Sequence, residues 1–296
     1  MKFNHHCLVL LFTLIFAACE KEIKFTPDES EPKLVVDATI ETGSLPVVYL
    51  SKSLNYFSKI SIDKLVNSVV RGAKVEMSNG TQTFPLHEIG IPLTESDTLF
   101  YYSFDSTNAS AMFRGVEGET YTLSIETDGG QYSATTTIPV LTKRVDSLYY
   151  AENVDREDSS KVVLYGKFTD PPGYGNYIRF FTSVNSGPFN PGLNSVFDDQ
   201  IIDGKSYSIQ IEQGVDRNSE IDFEEYSYFH KGDNIIVKFC NIDKGVFDFW
   251  RTMEYSYSSI GNPFSSPTKV QGNISNGALG YFGGYAVQYA SIYIPE

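Results

Sequence analysis

Cys240 and His230 are the residues whose types could support nucleophilic catalysis, a thiol with an imidazole to take its proton. Cys240, however, ends the strand-like run Ile235-Ile236-Val237-Lys238-Phe239-Cys240, where a buried, inert thiol is the ordinary state. The stretch Asp216-x-Asn218-x-Glu220-x-Asp222 begins like a calcium loop. Ile221 stands where the sharp-turn glycine belongs and Ser227 where the bidentate carboxylate belongs, so a solvated hairpin tip fits better. Asp198-Asp199 pairs two carboxylates, but neighbours on an extended chain point to opposite faces and do not flank one glycosidic bond. Apart from His5 and His6 near the start, the histidines are His87 and His230, too few for a multi-histidine zinc site. There is no Gly-x-Ser-x-Gly elbow, no His-Glu-x-x-His and no phosphate-cradling Gly-x-x-x-x-Gly-Lys. These readings point to a protein that is not an enzyme and needs no metal and no cofactor.

Aromatic side chains offer a different chemistry. They crowd the stretch from Phe247 to Tyr293, and several stand beside glycine or proline, in Asn262 to Phe264 and Tyr281 to Tyr285. That setting reads as loop, where binding residues concentrate. Phe264, Tyr281, Phe282 and Tyr285 are therefore candidate binding residues, suited to stacking on a glycan, capturing a peptide or docking on a protein. The competing reading is that the same rings fill the end of a sandwich. Acidic residues number 37 against 23 Lys and Arg, a net charge of −14, which argues against a nucleic-acid binder.

The elements that must carry these residues read as all-β. Leu34 to Ile40, Val47 to Leu54, Ala73 to Met77, Gln82 to Leu86, Leu99 to Phe104, Thr120 to Glu126 and Gln131 to Ile138 are strand candidates. Asn79-Gly80 is a hairpin signal between two of them. Their number and spacing predict an N-terminal β-sandwich over 33–139, with immunoglobulin-like or transthyretin-like patterning. Val140 to Asp146 reads as a linker to a second, β-rich sandwich-like domain over 147–296. Its strands are expected at Ser147 to Ala151, Val162 to Thr169, Tyr177 to Ser183, Lys205 to Ile211, Ile235 to Asn241, Val270 to Ile274 and Ala286 to Ile294. A Gly/Pro/Asn-rich loop is expected from Asn185 to Asn194. One short helix is expected after Asp243, its N-cap, with Val246, Phe249, Trp250, Met253 and Tyr257 at helical spacing as a core stripe.

The N-terminus reads as an address. Lys2 precedes the ten apolar residues Cys7 to Phe16, a run too short to span a bilayer and therefore a signal-peptide segment. Phe16-Ala17-Ala18-Cys19 resembles the lipobox of bacterial lipoproteins, which implies a signal peptide over 1–18 and a lipid on Cys19. Residues 19–32 then form a lipidated flexible tether, rich in charge and proline. Glu20-Lys21-Glu22 resembles the acidic export signal of Bacteroidota surface lipoproteins, with a solvated tether as the alternative. With Cys7 removed and Cys19 lipidated, Cys240 has no intramolecular partner, so stability must come from cores.

The runs Asn262-Pro263-Phe264-Ser265-Ser266-Pro267, Gly272-Asn273-Ile274 and Gly280-Tyr281-Phe282-Gly283-Gly284-Tyr285, after Phe247-Asp248-Phe249-Trp250, resemble one family throughout. It is the Bacteroidota lipoprotein family catalogued as domain of unknown function 4249. The resemblance implies an all-β protein held to the outer membrane through its N-terminal lipid, facing the exterior, with a TonB-dependent transporter as partner. It implies no catalytic residue. The function expected is accessory, non-enzymatic capture of a glycan or peptide nutrient for that transporter, against the alternative of a structural or adhesive surface protein.

Overall fold

Alternation decides the first half of the molecule. In a computed structural model that describes residues 31–54, 61–94, 97–152, 158, 160–217, 219–260, 262, 265–266 and 268–296, strand β1 (Leu34–Glu41) buries Leu34, Val36, Ala38 and Ile40. The residues between them face the other side of the sheet. Strands β2 (Val47–Lys52), β3 (Lys74–Ser78), β4 (Thr83–Pro92), β5 (Thr98–Ser103), β6 (Thr120–Thr127) and β7 (Gly130–Thr137) follow. The Asn79-Gly80 turn forms between β3 and β4: the Asn79 carboxamide oxygen accepts from Thr81 and Gln82 N–H, and Gly80 takes φ +85°. Strand β4 pairs with β3 through Thr83 to Leu86 and with β5 through His87 to Pro92, so it carries the sheet around its first apolar core. A seven-residue helix, α1 (Ile62–Ser68), capped by Ser61, lies between β2 and β3 and was not expected.

The second half contains β8 (Arg144–Glu152), β9 (Lys161–Thr169), β10 (Tyr177–Val184), β11 (Asn190–Phe197), β12 (Ser206–Ile211), β13 (Phe229–His230), β14 (Asn234–Ile242) and β15 (Leu279–Tyr293). The expected linker thus runs into β8. Part of the expected Asn185 to Asn194 loop is strand: Pro191 lies in β11, a terminal strand paired only to β10, where a missing N–H is tolerated. Val270 to Ile274, expected as a strand, has no regular structure. Helix α2 (Lys244–Ser258) forms where expected: Asp243 accepts from Val246 N–H at 2.8 Å, and Val246, Phe247 and Phe249 are buried. Each such burial is worth about 1.5–3 kcal/mol and the cap about 1 kcal/mol.

Strand β15 ties the whole together. Its first half pairs parallel to β1, from Val35↔Leu279 to Glu41↔Tyr285, and its second half pairs antiparallel to β14. An eleven-stranded sheet in the order β11-β10-β14-β15-β1-β2-β5-β4-β3-β6-β7 results, with β8, β9, β12 and β13 in a second sheet of four. Residues Pro32–Glu296 form one compact unit. Within it, one apolar cluster is built from Leu34 to Leu141 with Phe282 and Ala286 of β15, and another from Val145 to Ile294. A third lies under α2. The chain is all-β with short helices, as its patterning predicts.

The candidate cleft beside helix α2

The sequence expectation that Tyr281, Phe282 and Tyr285 stand in a loop is corrected by the fold: all three are on β15 and buried, at 4%, 0% and 2% exposure. The glycines beside them are there for close packing. A Cβ on Gly280 would stand 1.9 Å from the Val36 carbonyl oxygen, and one on Gly284 2.7 Å from that of Thr137 in β7. A Cβ on Gly283 would meet the Tyr281 ring at 2.7 Å and Val246 of α2 at 3.0 Å. A side chain at any of these positions would push a neighbouring element off the strand. As placed, Phe282 belongs to the N-terminal core and Tyr285 to the core under α2. Neither is a solvent-facing binding residue. Phe264, Cys19, Glu20, Lys21 and Glu22 lie outside the described residues.

Tyr281 does border a cavity. A cleft of about 690 Å³ opens between α2, β1 and the 269–281 segment that leads into β15. Phe249, Trp250 and Met253 form its helical wall, Val35 and Asp37 its sheet wall, and Val270, Ile274 and Leu279 its third side. The Tyr281 ring stacks on Phe249 at 4.4 Å and meets Trp250 edge-on at 5.3 Å. Lys33 and Lys269 add positive charge to this otherwise apolar lining. The lining is mainly rings and aliphatic surface, and among its described residues there is no Ser, Thr, Cys or His. Asp37 remains accessible to water although many protein atoms surround it. That crowding raises its carboxyl above the usual range, and Arg179 offsets the effect in part.

Behind the rings lies a buried polar network that sequence reading missed. Arg179, on β10, donates from Nε to Ser195 Oγ at 3.1 Å and from a terminal nitrogen to the Tyr285 hydroxyl at 3.2 Å. Its guanidinium lies 3.5 Å from the Trp250 ring centre, a cation–π contact away from water. Trp250 Nε1–H donates to the same Tyr285 hydroxyl at 3.2 Å, and the Tyr281 and Tyr285 hydroxyls share a hydrogen bond of 3.1 Å. Glu254, one turn after Trp250, accepts from Ser195 N–H and from Ser195 Oγ at 2.5 Å, with Arg217 at 3.5 Å. Burial raises the Glu254 carboxyl, and the Ser195 bonds and the two arginines counter it only in part. Burial likewise holds the Tyr281 and Tyr285 phenols above their usual value, so both stay neutral. The network fixes Trp250 and Tyr281, and through them the shape of the cleft. One signal was readable: Arg179 interrupts the apolar run Tyr177 to Val184, and Glu254 interrupts the buried stripe of the helix.

The other chemical candidates are separate from this cleft. Cys240 is fully buried, and burial pushes its thiol up to about 12, which suppresses the reactive thiolate. His230, on β13, pairs with Glu225 at 3.4 Å instead. Glu225 is also held by Lys161, and Asp222 accepts from Glu224 N–H in a local turn, as a hairpin tip would. Asp199 accepts from Gly175 and Asn176 N–H, a structural use of its carboxylate.

The sequence model of the family described as Domain of unknown function (DUF4249) matches residues 20–290. No curated protein matches the chain.

Proposed function

The chain belongs to the DUF4249 family, and from that premise we propose that it is a non-enzymatic lipoprotein of the outer membrane that captures a peptide or glycan for a TonB-dependent transporter. The observation that carries the reading is Phe16-Ala17-Ala18-Cys19, which follows an apolar segment too short to span a bilayer. Cys19 takes the lipid, and Glu20-Lys21-Glu22 directs the chain to the exterior face. Acyl chains contribute about 0.8 kcal/mol per buried CH₂, so more than one chain on Cys19 gives stable anchoring. The cleft beside α2 supplies the binding surface: half-buried Trp250, Met253 and Val35 with exposed Leu279 face it, and Trp250, pre-positioned by its buried neighbours, loses little side-chain entropy when a ligand docks.

Anchor and capture are tested separately. Cys19→Ser is expected to leave an uncut precursor or a soluble product, and mature-sized protein that stays in the membrane fraction would end the lipoprotein reading. Leu279 borders the cleft and is 44% exposed, so Leu279→Asp is expected to keep stability within about 0.5 kcal/mol while nutrient uptake falls. A tagged chain recovered from detergent-solubilised outer membrane is expected to bring a stoichiometric transporter with it. Repeated absence of that transporter under nutrient limitation would end the partnership.

A further inference from the structure

Lys143 and Asp170 form a second buried centre, and it differs from every other ion pair described in the molecule. The Lys143 Nζ lies 2.7 Å from Asp170 Oδ1, and both side chains are 0% exposed. Neither of those two atoms makes a hydrogen bond among the described residues. An ammonium carries three N–H donors, so this one is held in the interior by a single ionic contact, with the Tyr207 ring 5.1 Å away. Unanswered buried donors are costly, and a bare buried ion pair rarely recovers its desolvation.

The backbone fixes both partners. Arg144↔Thr169 is the last paired position of β8 with β9, which leaves Lys143 and Asp170 opposite one another just beyond the ladder. Asn241 clamps the Lys143 main chain from both sides, accepting its N–H at 3.0 Å and donating to its carbonyl at 2.8 Å. Asp170 donates its own N–H to the Lys205 carbonyl and accepts Gly204 N–H on Oδ2 at 3.2 Å. One side of the pair is aromatic: the Tyr207 ring stacks on Phe168, which stacks in turn on Phe239. Two further carboxylates, Asp199 and Asp203, lie with Asp170 in a group whose oxygens fall within 4.8 Å of one another. Burial raises the Asp199 carboxyl, but N–H bonds from Asn176 and Gly175 outweigh this and hold it below the usual range, so it stands ionised beside Asp170 and its part in the proton relay is by position.

An amine held against a carboxyl group, water excluded and a carboxylate at hand, is the arrangement for amide condensation. We propose that Lys143 and Asp170 are joined in the folded protein by an intramolecular isopeptide bond, Nζ to Cγ. Transfer of one proton from the ammonium to the Asp170 carboxylate gives the neutral amine and the neutral acid. The Nζ lone pair attacks Cγ to form a tetrahedral intermediate, and Asp199 carries a proton from nitrogen to the departing hydroxyl. The Cγ–O bond breaks, one water leaves, and an amide remains. No oxidant, reductant or cofactor enters the balance. The product replaces an unsatisfied ammonium and an unsatisfied carboxylate oxygen with one neutral amide group, and it staples β8 to β9 in a fold that holds no disulfide among the described residues.

The test is the mass of tryptic peptides from the full-length chain, purified from membranes in detergent. A free Lys143 is cut to release Gly115 to Lys143, and Asp170 is released within Phe168 to Arg179. The expected result is one joined species, Gly115 to Arg144 linked to Phe168 to Arg179, lighter than the sum by one water and uncut after Lys143. Lys143→Arg and Asp170→Ala are expected to lack it entirely, and Asp199→Asn to carry at least tenfold less. Recovery of the two separate peptides in full yield from the unaltered protein overturns the bond. Undiminished joining in Asp199→Asn overturns the part given to that carboxylate.

Discussion

The molecule buries charge in two ways. Beside α2, the Arg179–Glu254 centre is answered at nearly every atom: by Ser195, Tyr285 and Arg217 through hydrogen bonds and ion pairing, and by the faces of Trp250 and Phe181. Beside the four-stranded sheet, Lys143 and Asp170 Oδ1 answer only one another. A network satisfied at all but Arg217 Nε among its described atoms rigidifies what it touches, here the aromatic wall of the cleft. A bare pair has nothing to hold it as ions except the cost of separating them, and that is where covalent chemistry is the more economical end state. The difference lies in how the polar groups are used: Ser195 and Tyr285 bond the charged groups beside α2, whereas Asn241 is spent on the Lys143 main chain and Asp199 on Gly175 and Asn176, which leaves the Lys143 ammonium to Asp170 and the Tyr207 ring.

Four measurements sharpen or break that comparison. Arg179→Met removes the central cation and leaves Glu254 buried with its Ser195 hydrogen bonds and, as its nearest cation, Arg217 at 3.5 Å, which is expected to cost about 3–5 kcal/mol in urea unfolding. A cost below about 1 kcal/mol would mean that the network is not cooperative. Next comes the double replacement Lys143→Met with Asp170→Leu. An ordinary buried ion pair tolerates such a change with neutral or stabilising effect. A covalent staple does not, and its loss is expected to cost about 2–4 kcal/mol by analogy with disulfides. No loss of stability there would make the two centres alike.

Tyr285→Phe strands the Arg179 and Trp250 donors and is expected to cost about 1–3 kcal/mol, whereas Tyr281→Phe, which removes one shared hydroxyl bond, costs about 0.5–1.5 kcal/mol. Equal costs would show that the donors find other partners. The smallest effect concerns pH. Because burial raises the Glu254 carboxyl, the folded state binds a proton that the unfolded state has already lost, over the range between the ordinary glutamate value and the raised one. Stability from this group is fully present below that unfolded value and lost as pH rises through the folded one. Glu254→Gln is expected to flatten that part of the melting-temperature profile, and an unchanged slope would assign the proton elsewhere.

Much of the fold was legible because its signals are local. Leu34 to Ile40 alternates, Asn79-Gly80 can only turn, and Asp243 followed by a helical stripe sets α2, each read from a few adjacent residues. The cleft was half legible. The 262–285 region stands out by its aromatics, but the sequence offers Trp250 only as helix core, and Gly280, Gly283 and Gly284 resemble turn residues, which reads Tyr281 to Tyr285 as a loop. Those glycines instead admit Val36, Val246 and Thr137, contacts that come from elements distant in sequence.

By itself the sequence determined the all-β class and the positions of most strands, since composition, spacing and alternation act within a few residues. Only the tertiary structure decided that β15 lies parallel to β1, that Arg179 meets Glu254 through Ser195, and that Lys143 lies against Asp170. Parallel pairing of the first and last strands leaves no local mark, because a crossover can enclose a connection of any length. Buried charges meet for the same reason: their partners are chosen by register and packing across the folded chain, and a one-residue slip in β10 or β15 would turn Arg179 or Tyr285 to the opposite face.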